Sequence, residues 1–135
     1  EEIATIVKAS DADLAFLHGE APPEAHLDRW LSAGAALGVV TLGPGGAIAA
    51  TPAGRVRLPS PARDVVDVVG AGDAFMAGLL SWSQRNGVLS RARLASLGAD
   101  GLRDALAFAQ AAAASCCRHR GCRMPFAHEI AETAA

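Results

Sequence analysis

Short apolar runs rich in β-branched residues alternate with longer stretches of helical pattern, and this alternation constrains the fold of the chain most. The runs IATIVKAS and LGVVTLG have the length and composition of buried strands. A helical stretch follows the first run: Ser10 is suited to cap it, Asp13 is placed as in a capping box, and Gly19 ends it. Strands separated by helices predict an α/β fold built on a layered sheet.

A second helix and an inserted hairpin continue the pattern. The stretch APPEAHLDRWLSAG predicts the helix, because prolines stand at its start and Gly34 stands near its end. The stretch AIAATPAGRVRLPSP predicts a β-hairpin that turns at Pro52 to Gly54. The chain is long enough for one domain with a real core.

Two further helices are predicted in the second half. The stretch AFMAGLLSWSQRNG predicts one that ends at Asn86 and Gly87. The stretch GLRDALAFAQAAAASCCRHRG is the clearest helix of the chain, with Arg118 and Arg120 in its last turn.

Composition and charge exclude several classes of partner. Hydrophobic residues make up 51% of the chain and charged residues 19%, and the net charge of −2 provides no basic surface for nucleic acid. Polar residues or glycine interrupt every apolar run before it reaches the ~20 residues that span a bilayer. The acidic start EEIATIVKAS lacks the basic region of a secretory signal. We therefore expect a cytoplasmic protein that binds neither nucleic acid nor membrane.

The three cysteines are crowded into one short stretch, at Cys116, Cys117 and Cys122. An odd, crowded set is not a disulfide framework and fits a reducing compartment. Cys117, His119 and Cys122 could contribute to a zinc site, but the paired C-x-x-C pattern of structural zinc sites is missing. The favoured interpretation is small apolar side chains at the end of a helix.

The stretch DVVGAGDAFMAGLL places a glycine turn between an apolar β-branched run and a helix. Such turns usually bind phosphate, because a helix N-terminus exposes unpaired N–H groups and the positive end of the helix dipole. A P-loop is excluded, since Lys and Ser/Thr are absent after the glycines. A dinucleotide fingerprint is disfavoured, because Phe75 occupies the third small position and Asp73 would repel a pyrophosphate.

Asp73 gains a chemical task if the phosphoryl group is in transit instead of merely bound. The amides of Ala71, Gly72 and Asp73 would then stabilise the developing charge. The Asp73 carboxylate would accept the proton of the attacking hydroxyl. The structural alternative is that Asp73 only caps the helix, which aspartate does well.

The same stretch resembles the C-terminal signature of the ribokinase-like, or PfkB, carbohydrate kinases, whose core reads D-[TV]-x-G-A-G-D-x-F. The resemblance implies that Asp73 is the catalytic base and that Gly70, Ala71 and Gly72 form an anion hole. It also implies that Asp67 lies near a monovalent cation site, which K⁺ would occupy.

Another segment, VKASDADLAFLHG, is similar to the family segment that carries N-x-x-E. That motif helps to organise Mg²⁺ and the nucleotide phosphates, and here Ser10 and Asp13 stand at its positions. Mg²⁺ keeps several waters and tolerates an indirect carboxylate. Capping of the helix remains the alternative role for this pair.

Two later segments resemble the nucleotide site of the family in the same order. VVTLGPGGA looks like the T-L-G-x-x-G loop, with Thr41, Gly43 and Gly46 at the matching positions. AFAQAAAASCCRHRGC resembles the helix that closes the adenine pocket, where Gln110 would lie near the base. Gly121 matches a glycine near the cation loop.

The resemblance implies the C-terminal part of a ribokinase-like (Rossmann-like) layered sheet, with helices on both faces and an inserted β-hairpin. It implies ATP-dependent phosphorylation of a sugar hydroxyl by a fructokinase-like kinase that uses ATP, Mg²⁺ and K⁺. Residues 1–135 would then be a nucleotide-binding portion that lacks the N-terminal sugar-binding half and the lid. Two questions stay open: whether the chain is active alone, and whether the full-length parent is a homodimer. Two alternative functions also stay open, a non-catalytic nucleotide-binding module and a Rossmann NAD(P)-binding dehydrogenase half.

Overall fold

Six helices and four strands follow one another in this computed structural model, which describes the backbone of residues 4–133 and the side chains of residues 4–130. In chain order they are β1 (Ile6–Ser10), α1 (Asp11–His18), α2 (Pro23–Ser32), β2 (Leu37–Thr41), β3 (Ala47–Thr51), β4 (Gly54–Leu58), α3 (Ala71–Arg85), α4 (Arg91–Ala95), α5 (Ala99–Cys117) and α6 (Ala127–Thr133). Ile3, the first residue of the first predicted strand, lies outside the described residues. None of the helices within residues 4–133 is long and apolar enough to cross a membrane.

The sheet has the order β1-β2-β3-β4 and mixes two kinds of pairing. β1 and β2 are parallel, with Ser10 opposite Thr41, and α1 and α2 form the crossover that a parallel pair requires. β2, β3 and β4 are antiparallel, and Thr51 opposite Gly54 closes the hairpin where the sequence predicts its turn. The carboxyl ends of β1 and β2 therefore lie side by side at one edge of the sheet.

Helices cover both faces of the sheet, because successive residues of a strand point to opposite sides. Val39 belongs to the core between the sheet and the pair α3 and α5. Its neighbour Val40 belongs to a second core, which Leu14 and Leu27 of α1 and α2 complete. The layered α/β arrangement with an inserted hairpin, predicted from the sequence, is confirmed.

Small residues bring α3 and α5 close together. A Cβ atom placed on Gly78 of α3 would lie 2.9 Å from Ala112 Cβ and 3.1 Å from Ala109 Cα. The bulkier Leu79 and Leu106 flank this contact and are buried. The approach fixes the middle of α3 against the second half of α5.

The boundaries of α3 and α5 differ from those predicted. α3 begins at Ala71, before the predicted Ala74, so Asp73 lies inside its first turn. α5 ends at Cys117, so Arg118 and Arg120 lie beyond the helix and the prediction that they occupy its last turn is wrong. The cause is tertiary: the Cys117 carbonyl accepts hydrogen bonds from Val66 N and Asp67 N at 2.8 and 3.2 Å.

Candidate functional site

The N-terminus of α3 is shaped by the left-handed backbone of Gly70, whose φ is 80°. This conformation favours glycine, since other residues pay a steric penalty there. A Cβ atom on Gly70 would also lie only 2.2 Å from Cys122 Sγ. Glycine at this position therefore suits both the backbone of the turn and the loop after α5 that packs against it.

Three amide groups of this turn point away from any protein acceptor. The N–H groups of Gly70, Gly72 and Asp73 have no hydrogen-bond partner within residues 4–133. Ala71 differs from the expectation, because its N–H donates to the Val68 carbonyl at 3.1 Å. The groups ready to receive an anion are thus those of Gly70, Gly72 and Asp73.

The Asp73 carboxylate is exposed and lies in the first turn of α3. It is not the residue that caps this helix, since the cap position is Gly70. Within the described part of the chain, the carboxylate accepts no hydrogen bond and forms no ion pair. Its oxygens are therefore open to a ligand.

Lys8 completes this surface, and sequence reasoning missed it. A Cβ atom on Gly72 would lie 3.0 Å from Lys8 Nζ, so the ammonium group lies against the turn. Lys8 has no carboxylate partner among the side chains of residues 4–130. The available signal was a lysine inside an otherwise apolar strand, two positions before Ser10 and thus on the same face.

Ser10 and Asp13 form a hydrogen-bonded pair at the carboxyl end of β1. The Asp13 backbone N–H donates to Ser10 Oγ at 3.0 Å, which confirms the predicted cap of α1. The Ser10 hydroxyl in turn donates to Asp13 Oδ2 at 2.6 Å. Asp13 is exposed, so its second oxygen remains accessible from solvent.

The loop after β2 lies next to this pair, since Thr41 is the register partner of Ser10. Gly43 to Gly45 form one turn of 3₁₀ helix. Gly46 follows with φ 94°, and a Cβ atom there would lie 2.0 Å from the Leu58 carbonyl oxygen of β4. The loop thus folds back tightly against the hairpin and leaves Gly43 exposed beside the end of β2.

Asp67 and Gly121, both expected in a cation region, are in direct contact. Asp67 Oδ2 accepts a hydrogen bond from Gly121 N at 2.9 Å, and Oδ1 accepts one from Val69 N at 3.0 Å. The bond from Gly121 is the main reason that the pKa of Asp67 is lowered from its ordinary value, and the bond from Val69 adds to it. Both oxygens of this carboxylate therefore already accept protein N–H groups.

Gln110 shares a neighbour with the predicted site residue Gly46, the Leu58 carbonyl oxygen, which a Cβ atom on Gly46 would approach to 2.0 Å. It is 6% exposed, and its Nε2 donates to the Leu58 carbonyl at 3.3 Å. Gln110 thus links α5 to β4 in this structure. The described residues contain no group of three or more His, Cys, Asp or Glu side chains that could hold a metal ion.

The arrangement at this edge of the sheet is suited to a phosphate group with a hydroxyl beside it. Three unpaired N–H groups and one ammonium can hold the anion. One unpaired carboxylate adjoins them and can take up a proton. All of these groups stand at the carboxyl end of the parallel strand β1 or beside it, where open α/β sheets bind their ligands.

Comparisons with known proteins agree with this chemistry. A model of the pfkB family carbohydrate kinases matches residues 1–129. The fructokinase of Rhizobium leguminosarum bv. trifolii is 40% identical over 99 residues, which are 73% of this chain and 30% of that protein. The matched residues span less than a third of the length of this relative.

Solved structures share the fold. The crystal structure of fructokinase from Vibrio cholerae O395, in a form that binds fructose, ADP and calcium ion, matches with a TM-score of 0.78 at 29% identity. The match covers 98% of this chain and 41% of that one. Aminoimidazole riboside kinase from Salmonella enterica, complexed with aminoimidazole riboside and an ATP analog, gives a TM-score of 0.75 at 30% identity, over 96% of this chain and 42% of that one.

Proposed function

We propose that this chain, which belongs to the pfkB family of carbohydrate kinases, is the nucleotide-binding C-terminal part of an ATP-dependent sugar kinase. The observation that carries the proposal is the unpaired Asp73 carboxylate at the N-terminus of α3. The same N-terminus presents unpaired amides and lies against the Lys8 ammonium. A carboxylate beside an anion-binding turn repels the anion, and a proton that must move gives the carboxylate a role there. Phosphoryl transfer to a hydroxyl supplies that need.

The amides and Lys8 hold the phosphate that is transferred. The N–H groups of Gly72 and Asp73 point out of the helix, where the dipole adds about half a positive charge. The Lys8 ammonium lies on the Gly72 side of the turn. As the sugar oxygen bonds to phosphorus and the bond to ADP breaks, these groups stabilise the charge on the phosphoryl oxygens.

Asp73 acts as the base. Its carboxylate accepts the proton of the attacking hydroxyl, and ADP leaves with the electrons of the broken bond. Exposure of Asp73 leaves room for the acceptor sugar, which residues outside this chain would hold. We propose a hydroxyl of a fructose-like sugar, because the similar proteins include fructokinases.

The Ser10 and Asp13 pair fits a Mg²⁺ ion that keeps most of its waters. Asp13 offers one carboxylate oxygen that takes no part in the bond from Ser10, and Mg²⁺ in nucleotide sites is held by one or two carboxylates together with phosphates. When bound, the ion would neutralise phosphate charge. For K⁺, Asp67 fits less directly, because both of its oxygens already accept N–H groups, so the loop around Gly121 would supply carbonyl oxygens instead.

Thr41, Gly43 and Gly46 would contact the nucleotide from the adjacent loop. This part of the proposal is supported by the register of Thr41 with Ser10, which places the loop beside the phosphate site. Gln110 would lie near the base, and its hydrogen bond to the Leu58 carbonyl, against which Gly46 packs, supports this part of the proposal.

The experiment uses a full-length kinase that carries this chain as its C-terminal part. Asp73→Asn should lower sugar-dependent ATP turnover by about 10²–10⁴-fold, the usual effect of losing a positioned base. ADP should bind at least as tightly as before, because a negative charge has been removed from beside its phosphates. Calorimetric titration with ADP and a coupled assay for ADP release measure the two effects.

Asp100→Asn is the matched control, since Asp100 is the acidic residue in the first turn of α5. It should change neither measurement. Unchanged turnover in Asp73→Asn would remove Asp73 from the mechanism. ADP binding by a wild-type protein that turns over no sugar would favour a non-catalytic nucleotide-binding module.

A further inference from the structure

An open cavity of about 550 Å³ lies between α1, the loop that joins α1 to α2, and the first residue after β2. Its walls are mainly apolar and include Leu14 and Ala15 of α1, Pro22 before α2 and Leu42 after β2. This volume is typical of sites that bind small molecules. The cavity lies on the face of the sheet that α1 and α2 cover, whereas Lys8 meets the turn of α3 on the other face. It is therefore separate from the phosphate site proposed above.

His26 of α2 also lines the cavity, and this residue is only 5% exposed. Its Nε2 atom is buried and has no hydrogen-bond partner in the part of the chain that the structure describes. The nearest rings are those of His18 and Trp30, with centroids 5.7 and 6.3 Å from that of His26. Because a buried polar atom without a partner is costly, His26 favours an occupant that forms a hydrogen bond with Nε2.

The charged side chains that line the cavity are both acidic, Asp11 and Glu20. Both residues are exposed, and neither forms an ion pair among the side chains of residues 4–130. The lining residues include no Lys or Arg to offset them. The two carboxylates therefore attract a cation into the cavity and repel an anion.

We propose that this cavity is a second binding site, which takes a small organic cation: an amine with an apolar body. The apolar body packs against walls such as Leu14, Ala15 and Leu42. The ammonium group has three N–H donors, which suit the carboxylates of Asp11 and Glu20. The same group suits His26 Nε2, which accepts a hydrogen bond when the proton of the neutral ring is on Nδ1.

Leu42 connects the cavity to the loop after β2. Its backbone N–H donates to the Gly46 carbonyl at 2.8 Å, and its own carbonyl accepts a hydrogen bond from Gly45 N at 2.9 Å. An occupant that contacts the Leu42 side chain therefore lies against the residue that closes this loop. Only the relevance of this contact to a nucleotide rests on the proposed function, since the cavity and its lining do not depend on it.

The test titrates the ¹⁵N-labelled full chain with phenethylamine, in which a short chain links an ammonium group to a benzene ring, and follows the titration by NMR. The matched probe is hydrocinnamate, which has a carboxylate in place of the ammonium group. Phenethylamine should shift the amide signals of Leu14, Ala15 and Leu42 and the Nε2 signal of His26. Hydrocinnamate should bind about tenfold more weakly, because its charge is reversed beside two carboxylates.

Two results would overturn the proposal. One is the absence of any shift up to the solubility limit of phenethylamine, which would mean that water alone fills the cavity. The other is equal affinity for the two probes, which would show that the carboxylates do not select the occupant. An Nε2 signal that does not move would contradict the role given to His26.

Variants locate the binding. Ala15→Leu places a larger side chain in the cavity, and the chain should still fold because Ala15 is exposed. It should weaken phenethylamine binding severalfold, whereas Ala92→Leu, at an exposed alanine of α4 outside the cavity, should not. Glu20→Gln should reduce the preference for phenethylamine over hydrocinnamate, and Asp104→Asn, on the exposed side of α5, should leave it unchanged.

Undiminished binding in Ala15→Leu would place the probe elsewhere on the chain and would contradict the proposal. None of these measurements uses ATP or a sugar. Their failure would therefore leave the proposed kinase function untouched, and loss of that function would leave this site standing.

Discussion

The Asp67 carboxylate ties the loop after α5 to the segment before α3, because it accepts hydrogen bonds from Gly121 N at 2.9 Å and from Val69 N at 3.0 Å. No residue of α3 or α5 takes part in this contact, but it lies where the N-terminus of α3 meets the C-terminus of α5. The segment from 59 to 70 contains no helix or strand, and Val65 and Val68 within it are exposed. The hydrogen bonds of Asp67 therefore stabilise the position of a segment whose apolar side chains are not buried.

Acid should weaken this tie. Hydrogen bonds from Gly121 and then Val69 lower the pKa of Asp67 in the folded chain below its ordinary value of 3.8. The stabilisation is therefore complete above pH 3.8 and is lost as the pH falls through the lower, folded pKa. Denaturant unfolding at several pH values should show Asp67→Asn less stable than wild type at neutral pH, with the gap closing in acid. The gap should not appear for Asp104→Asn, which removes an exposed charge from α5; a gap independent of pH would contradict the assignment.

Removal of the Lys8 ammonium should weaken nucleotide binding. Lys8→Gln keeps a polar side chain near the turn and removes its charge, so ADP affinity should fall by about 1–2 kcal/mol, or about tenfold. Calorimetric titration measures the loss, which should shrink in high salt. Arg103→Gln removes a positive charge from the exposed side of α5 and should leave ADP affinity unchanged. Equal losses in both variants would mean that only net charge matters.

A side chain at Gly70 should strain the turn and collide with Cys122. Gly70→Ala should lower the free energy of unfolding by about 1–2 kcal/mol through its left-handed backbone alone. The added Cβ, 2.2 Å from Cys122 Sγ, should increase the loss. Cys122→Ala removes that sulfur, so the double variant should recover part of the loss, with a coupling of about 0.5–3 kcal/mol in a double-mutant cycle. Strictly additive effects would contradict the contact.

Close packing of α3 on α5 makes Gly78 sensitive to substitution. Alanine favours a helix over glycine by about 1 kcal/mol, but the new Cβ would meet Ala112 Cβ at 2.9 Å and Ala109 Cα at 3.1 Å. Neither neighbour can rotate away, so Gly78→Ala should destabilise the chain by about 1–3 kcal/mol. Gly101→Ala is the control, since its Cβ would meet only the flexible Leu97 side chain and should be neutral or stabilising. Thermal unfolding compares the two, at about 4 °C for each kcal/mol.

Features that depend on near neighbours in the sequence were predicted well. The cap at Ser10, the termination at Gly19 and the hairpin turn after Thr51 each follow from residues within a few positions of one another. The turn at Gly70 was likewise visible in its glycines. These signals are local, so a single sequence contains them.

Features that depend on distant contacts were not predicted. The end of α5 is set by hydrogen bonds from residues 66 and 67, far away in the chain. Lys8 joins the proposed site only because the sheet brings β1 beside the turn of α3. Ala71 was expected to offer its amide, but the Val68 carbonyl takes it up. Each of these facts requires the assembled fold.

The order of the strands leaves two different edges. β4 ends the sheet on one side, and its Arg55 and Arg57 form ion pairs with Asp28 and Glu24 of α2, a charged border that discourages further pairing. β1 ends the sheet on the other side, and its one charged residue, Lys8, is turned toward α3. A neighbouring polypeptide that extended the sheet would therefore meet less charge at β1, beside Lys8 and Ser10, than at β4. A polypeptide that pairs with β1 would also border the phosphate site proposed above, so pairing and completion of the proposed site would occur in one step.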